Sequence, residues 1–218
     1  MSNHDKTPIF PDSYIGNNSD KYNNSIWMER NQKKTALLCL QYLQDEKLNN
    51  LGVFDKVREK DNLIIDLGCG TGFSSEILVE NGHRVIGIDI LMDMLTKAKS
   101  KKEFLKKEKE LELILADINY LPIKRASIDH IISVSAYNFI LHGKDLIKDI
   151  SKTVNNTANY LKKILKLNGR VVIEFYPKDE NELEIFMSSF KKNGFDGFMV
   201  KKYSNQKSGQ TFLLLKKR

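Results

Sequence analysis

Short apolar runs alternate along this chain with stretches in which apolar residues recur every three or four positions. Leu63-Ile64-Ile65-Asp66, Arg84 to Asp89, Leu111 to Ala116, His130 to Val134 and Arg170 to Phe175 read as five strands. Between them the period is helical. One such stretch runs from about Ile26 to Leu51, with Leu37, Leu40, Leu43, Leu48 and Leu51 near helix spacing. Another passes through Phe73, Ile77 and Leu78 and stops at Asn81-Gly82. A lysine- and glutamate-rich helix is predicted from Asp93 to Glu110. A further helix carries Ile147, Ile150, Val154, Ala158, Leu161 and Leu165 and is stopped by Asn168-Gly169; the last spans Asn181 to Lys192, stopped by Asn193-Gly194. Gly197 to Tyr203 and Thr211 to Leu215 form two closing strands joined by a polar loop. Residues 1–24 are polar, punctuated by Pro8, Pro11 and Gly16, and read as an irregular arm.

Strands separated by helices predict a parallel sheet covered on both faces, and the final pair, with no helix between them, should run antiparallel. The chain divides into an arm and helix over 1–51 and an α/β domain over 52–218. Its 218 residues suit one such core.

Composition narrows the class without fixing it. No apolar run is long enough to span a bilayer, and no signal-peptide core is present. Cys39 and Cys69 are the only cysteines, too few for a disulfide framework or a cysteine-based zinc site, so a reducing, cytoplasmic setting and no resident metal are expected. The net charge of +7 suits an anionic partner or a solvated lysine surface equally well.

Chemistry concentrates where the first strand ends. In Asp66-Leu67-Gly68-Cys69-Gly70-Thr71-Gly72, the glycines allow a sharp turn and close approach of a ligand to the backbone. A dinucleotide fingerprint places its third glycine where this chain has Phe73, and the Gly-Lys-Ser/Thr of a phosphate loop is absent. The pattern resembles motif I of the methyltransferases that use S-adenosylmethionine. Asp89 ends the second strand, where a carboxylate can accept from both ribose hydroxyls, and Asp117 ends the third, near the adenine amino group; Ile90 and Ile118 would sandwich the ring. Each acid alone reads as an ordinary strand end; together with the loop they predict a cofactor site of Asp66, Gly68, Cys69, Gly70, Gly72, Asp89, Ile90, Asp117, Ile118 and Ser133, with Tyr22 reaching in from the arm. The fold class expected is α/β: the class I methyltransferase (Rossmann-like) fold, a seven-stranded, mostly parallel sheet with a C-terminal antiparallel hairpin and helices on both faces.

Further segments resemble one family, the guanine-N7 methyltransferases of small-subunit ribosomal RNA and their archaeal relatives. These are Asp20-Lys21-Tyr22, Gly70 to Leu78, Gly82-His83, Gly87 to Ile90, Ile132 to Ala136, Phe175-Tyr176-Pro177-Lys178, Asn193-Gly194-Phe195 and Gly197 to Val200. The resemblance implies S-adenosylmethionine as cofactor, ribosomal RNA as substrate, and a small zinc-binding activator protein as partner. The family usually has Trp where this chain has Phe139, and its eukaryotic members continue into a basic tail, so the end at Arg218 fits an archaeal-type setting.

Guanine N7 offers an in-plane lone pair, so no general base is required and no catalytic residue is singled out. Tyr137 and Phe139 are expected to stack on a splayed-out base, Asn138 to bond its edge, and Tyr176 and Pro177 to close the opposite wall; Phe139 with its apolar neighbours reads equally well as core. His142 reads as a surface residue. Trp27 and Arg30 either belong to a lid or, for Trp27, anchor the arm's helix. The third strand should form a sheet edge, where Leu111, Leu113, Ile114 and Leu115 are exposed to pairing with the activator, with a second copy, or to cover by the adjacent lysine-rich helix. Lysines 97, 99, 101, 102, 106, 107 and 109 read as a solvated face or as an RNA contact. A small-molecule methyltransferase and a ribosome-assembly factor remain the competing functions.

Overall fold

The computed structural model describes residues 9–49, 60–202 and 209–218. Seven strands form one sheet: β1 (Leu63–Leu67), β2 (Arg84–Asp89), β3 (Leu111–Leu115), β4 (Ile128–Ser133), β5 (Leu165–Phe175), β6 (Phe195–Lys202) and β7 (Gln210–Lys217). Their order is β3-β2-β1-β4-β5-β7-β6, parallel from β3 to β5, with β7 antiparallel to both β5 and β6. The architecture read from the sequence, including the closing hairpin and the edge position of β3, is the one observed.

The helices are α1 (Asn17–Asn23), α2 (Ile26–Leu43), α3 (Phe73–Glu80), α4 (Met92–Glu103), α5 (Ile147–Ile164) and α6 (Glu180–Lys192). Because β1, β4 and β5 are covered on both faces, apolar side chains predominate in both directions. One core layer joins Ile65, Leu67, Ile131, Val171 and Ile173 to Val154, Ala158 and Leu161 of α5 and Phe186 and Phe190 of α6. The other joins Ile64, Val85, Ile132, Val172 and Leu214 to Leu38, Cys39 and Leu43 of α2 and Leu78 of α3. Local chemistry sets the helix starts. The Ser25 hydroxyl accepts from the Met28 amide at the head of α2, and the Asp179 carboxylate from the Glu182 amide at the head of α6.

Four expectations need correction. The helix predicted to Glu110 ends at Glu103: its buried positions are Met94, Leu95 and Ala98, and in the lysine run beyond only Leu105 packs, in part, on the core. The helix before β5 ends at Ile164, so Leu165 is strand rather than helix. Asn168, at φ +62°, lies in a bulge within β5. Leu165 pairs with Ile128 and Arg170 with His130, and the intervening residues are extruded between those two pairings; Asn-Gly serves such a bulge as readily as a helix stop. The arm is not wholly irregular, since it holds α1 and a 3-10 turn at Asp12–Tyr14. The helix predicted from Ile26 to about Leu51 ends at Leu43, where the Arg170 guanidinium donates to the Leu43 and Asp45 carbonyls, and a separate 3-10 turn follows at Glu46–Leu48. Leu51 itself, the predicted strand end at Tyr203 and the 51/52 division of the chain lie outside the described residues, and the division stays a proposal.

Candidate functional site

At the C-terminal ends of β1, β2, β4 and β5 the sheet opens into a cavity of about 900 Å³, where open α/β sheets place their ligands. Its floor is the glycine loop. The amides of Gly68 and Cys69 both donate to the Ile88 carbonyl (2.8 and 2.9 Å), stitching the loop to the end of β2. Gly68, at φ +71°, sits where an added Cβ would lie 2.3 Å from the Ala136 Cβ, so only glycine lets the loop approach the segment after β4 this closely. Gly70, at φ +55°, is different: an added Cβ would meet nothing within 4 Å except the Met94 methyl, and its backbone lines the cavity.

Asp89 is tied from both sides. Its Oδ2 accepts from the Gly70 amide and its Oδ1 from the Leu91 amide, each at 2.9 Å. Burial pushes the carboxyl above its ordinary range while the backbone donors pull it back. Each oxygen keeps a lone pair for a further donor in the cavity. Ile90, Asp117, Ile118 and Cys69 line the same space, as does Tyr22 of α1. Burial and the nearby Tyr14, Asp89 and Glu174 hold the Tyr22 phenol in its neutral form.

Asp66, Gly72, Ser133, Tyr137 and Pro177 do not line the cavity. Asp66 is wholly buried beneath the loop, its Oδ2 accepting from the hydroxyls of Ser74 (2.6 Å) and Ser75 (2.7 Å) at the head of α3. Desolvation raises its pKa to about 6. The Ser133 hydroxyl donates to the Leu67 carbonyl at 2.9 Å. Tyr137 corrects the sequence reading most sharply: fully buried, its ring packs against Phe186 and Phe190, so it is core and not a base-stacking wall. Phe139 does line the cavity, stacked on Phe10 of the arm at 4.8 Å between centroids, with Tyr14 edge-on at 5.5 Å. Asn138 also lines it, but clamps the chain after β5, its amide nitrogen donating to the Tyr176 carbonyl (2.8 Å) and its oxygen accepting from the Tyr176 amide (2.9 Å). That leaves less of its amide for a base edge. Tyr176 forms the opposite wall.

Several residues here were not singled out from the sequence. Glu174, Ser135 and Gln210 meet in the cavity wall: the Glu174 carboxylate accepts from Ser135 (2.5 Å), Tyr176 (2.8 Å) and Gln210 (2.6 Å), and Gln210 also reaches Thr35 of α2. Ser135 adopts φ +54°, uncommon for a residue with a side chain. A carboxylate inside an otherwise apolar strand end was the available signal. His142, read as a surface residue, is exposed yet borders the cavity, edge-on to Phe10. Trp27 is 61% exposed at the rim, so it is not an anchor buried against the sheet.

The arm is held over the cavity by α4. The Gly16 amide donates to Asp93 (2.5 Å), Lys97 pairs with Asp20, and Lys101 bonds Asn23 while its ammonium lies 4.3 Å from the centre of the Phe73 ring. Part of the lysine run is therefore a tether; Lys99, Lys106, Lys107 and Lys109 are solvated. Among the described residues no group of acidic, histidine and cysteine side chains is arranged to hold a metal ion, and no helix is long and apolar enough to cross a membrane.

The donor set fits S-adenosylmethionine: a carboxylate at the end of β2 for a diol, apolar Ile90 and Ile118 for a flat ring, and open backbone at Gly70 for a zwitterionic tail. Comparison with known proteins agrees. Residues 65–173 match the methyltransferase domain family. The chain is 30% identical over 158 residues to the 18S rRNA (guanine-N(7))-methyltransferase of Schizosaccharomyces pombe, covering 72% of this chain and 57% of the relative. It is 31% identical over 189 residues to the 18S rRNA (guanine(1575)-N(7))-methyltransferase of Saccharomyces cerevisiae, covering 86% and 62%. The chain thus spans a little over half the length of the curated relatives it matches. Among solved structures, magnesium protoporphyrin IX methyltransferase from Synechocystis PCC 6803 superposes with a TM-score of 0.67 over 95% of this chain and 94% of that one, at 18% identity. Sheet order, glycine loop and family match point one way: this chain belongs to the methyltransferase domain family, with the class I fold.

Proposed function

We propose that this chain transfers the methyl group of S-adenosylmethionine to N7 of a guanine in small-subunit ribosomal RNA. The observation that carries the reading is the juxtaposition, in one cavity, of the Asp89–glycine-loop cradle with an aromatic wall at Phe139. About 900 Å³ is at the upper end for a single small-molecule site and leaves room for a base beside the cofactor. The cofactor supplies an electrophilic methyl group. The protein's part is alignment and exclusion of water, because N7 attacks through a lone pair already in the ring plane. Asp89 would hold the ribose and Ile90 and Ile118 the adenine, with Asp117 at its amino group. Phe139 would stack on the base, and Tyr176, fixed by Asn138, would face it. Asp66 and Ser133 would act from beneath, by holding the loop and the end of β4.

The relatives' substrate supports ribosomal RNA, and the excess of positive charge is compatible with it. Mapping 7-methylguanosine by chemical cleavage in small-subunit RNA, after incubation with the protein and cofactor, tests the reading. A new cleavage site that disappears with Asp89→Ala is expected; an unchanged map rejects the RNA assignment. One observation favours a second reading: the arm closes over the cavity through Phe10, Tyr14 and Tyr22, which suits a small metabolite. Methyl transfer to a small acceptor with RNA untouched would select it.

The β3 edge is proposed as the docking strand for a small zinc-binding activator. Leu115 is 50% exposed at its end, Leu113 and Ile114 are half-buried, and Leu111 is buried in the core, so the pairing surface is narrower than the sequence run. Leu113→Pro removes an edge amide and would abolish copurification; unaltered copurification would argue for another surface.

A further inference from the structure

We propose that Glu174 is the counter-charge of this cavity, a carboxylate that selects positively charged occupants over neutral ones of the same shape. The inference rests on the cofactor half of the function proposed above and not on the identity of the acceptor.

Glu174 is 1% exposed and still lines the cavity. A carboxylate in such a place is costly unless its charge is compensated. Here the compensation comes from neutral groups: two hydroxyls, of Ser135 and Tyr176, and the Gln210 amide. No ion pair joins Glu174 to a cation among the described residues. Neutral donors stabilise an anion without cancelling its field. Three donors on its two oxygens are the partners a carboxylate requires, and it lines the same space as Asp89. On the arm, burial first, and then Tyr14, Asp89 and Glu174, push the Tyr22 phenol above its ordinary range. The backbone takes part in fixing it: Ser135 adopts φ +54° while its hydroxyl donates to Oε2, and Asn138 fixes the backbone of Tyr176, whose hydroxyl donates to Oε1.

The chemistry gives such a charge a use. As the bond from N7 to the methyl carbon forms and the carbon–sulfur bond breaks, the electron pair of the latter stays on sulfur. The positive charge passes from sulfur to the purine, and no proton is released. Positive charge is present before, during and after transfer, whereas the spent cofactor is neutral at sulfur. A fixed carboxylate beside the reacting groups therefore favours the loaded cofactor over its by-product.

The test is a binding ratio. Calorimetric titration of the whole chain with S-adenosylmethionine and with S-adenosylhomocysteine gives the preference for the cation, with no acceptor present. In Glu174→Gln that preference should shrink about tenfold, the equivalent of one pKa unit of differential interaction. Glu174→Asp, which keeps the charge while breaking the hydrogen-bond geometry, should retain most of it. A purely structural Glu174 would instead weaken both ligands in parallel, and an unchanged ratio in Glu174→Gln overturns the proposal. Should Glu174→Gln not fold, the Tyr176→Phe/Gln210→Leu double variant removes two of the three neutral donors that stabilise the anion and is expected to narrow the ratio; an unchanged or widened one overturns the proposal. Failure of the unaltered chain to bind either ligand would overturn the cofactor reading together with this one. A null 7-methylguanosine map with the ratio intact would overturn only the RNA assignment.

Discussion

A single methyl group added at Gly68 separates what the glycine loop does for the fold from what it does for the ligand. In Gly68→Ala the new Cβ meets two penalties. A side chain at φ +71° costs about 1–2 kcal/mol. The contact of 2.3 Å with the Ala136 Cβ forces the segment after β4 to move, and overpacking of this kind costs about 1–3 kcal/mol more. The sum is about 2–5 kcal/mol. For a domain of this size each kcal/mol lowers the melting temperature by about 2–4 °C, so a loss on the order of 10 °C is expected. Gly70→Ala pays only the backbone penalty of about 1–2 kcal/mol, since its Cβ would reach nothing closer than the Met94 methyl at 3.8 Å. That Cβ points into open cavity, however, and should lower affinity for S-adenosylmethionine at least about tenfold. Thermal unfolding followed by circular dichroism, with calorimetric titration of both variants, reads the two effects separately. If Gly68→Ala melts no lower than Gly70→Ala, the close approach to Ala136 does not carry the loop and the reasoning fails.

Two buried titrations give opposed pH dependences. Asp66, raised from 3.8 to about 6 by burial, is protonated in the fold at pH values where it is already ionised in the unfolded chain. It therefore makes stability fall as pH rises through that interval, by about 3 kcal/mol in all. His130, lowered from 6.5 to about 4 by burial, acts oppositely: stability falls as pH drops from 6.5 toward 4. Denaturant midpoints across pH 4 to 6.5 should be nearly flat in the unaltered chain, to rise with pH in Asp66→Asn and to fall with pH in His130→Asn; parallel curves for all three would contradict both assignments. The arm gives a kinetic prediction. Asp93→Ala removes the acceptor of the Gly16 amide and should speed cofactor release a few-fold in stopped-flow measurements with little change in melting temperature, because an exposed contact contributes under about 1 kcal/mol. An unchanged release rate would mean that the arm does not gate the cavity.

The strand–helix alternation, the antiparallel closing hairpin and the glycine loop were legible in the sequence because each is local. Periodicity follows from the geometry of one element, and Asp66 to Gly72 with Asp89 and Asp117 marks three successive strand ends without any long-range contact being known. Boundaries set by packing were not legible. The run after Ala98 keeps helical composition to Glu110 but offers only Leu105 to bury, and Asn168-Gly169 reads as a helix stop while serving as a strand bulge. The substrate side depended most on tertiary structure. Tyr137 and Phe139 are two apart in one segment, yet a 3-10 turn at Tyr137–Leu141 turns the first into the core and the second into the cavity. Glu174, Ser135 and Gln210 are separated by dozens of residues, and no spacing rule brings them together. Only the pairing of β5 with β7, and the turn that Ser135 makes beyond β4, place a buried carboxylate among neutral donors at the mouth of the sheet. Local sequence thus determined the frame and the cradle of the cofactor. Which side chains face the cavity, and what charge it holds, was decided by contacts between residues far apart in the chain.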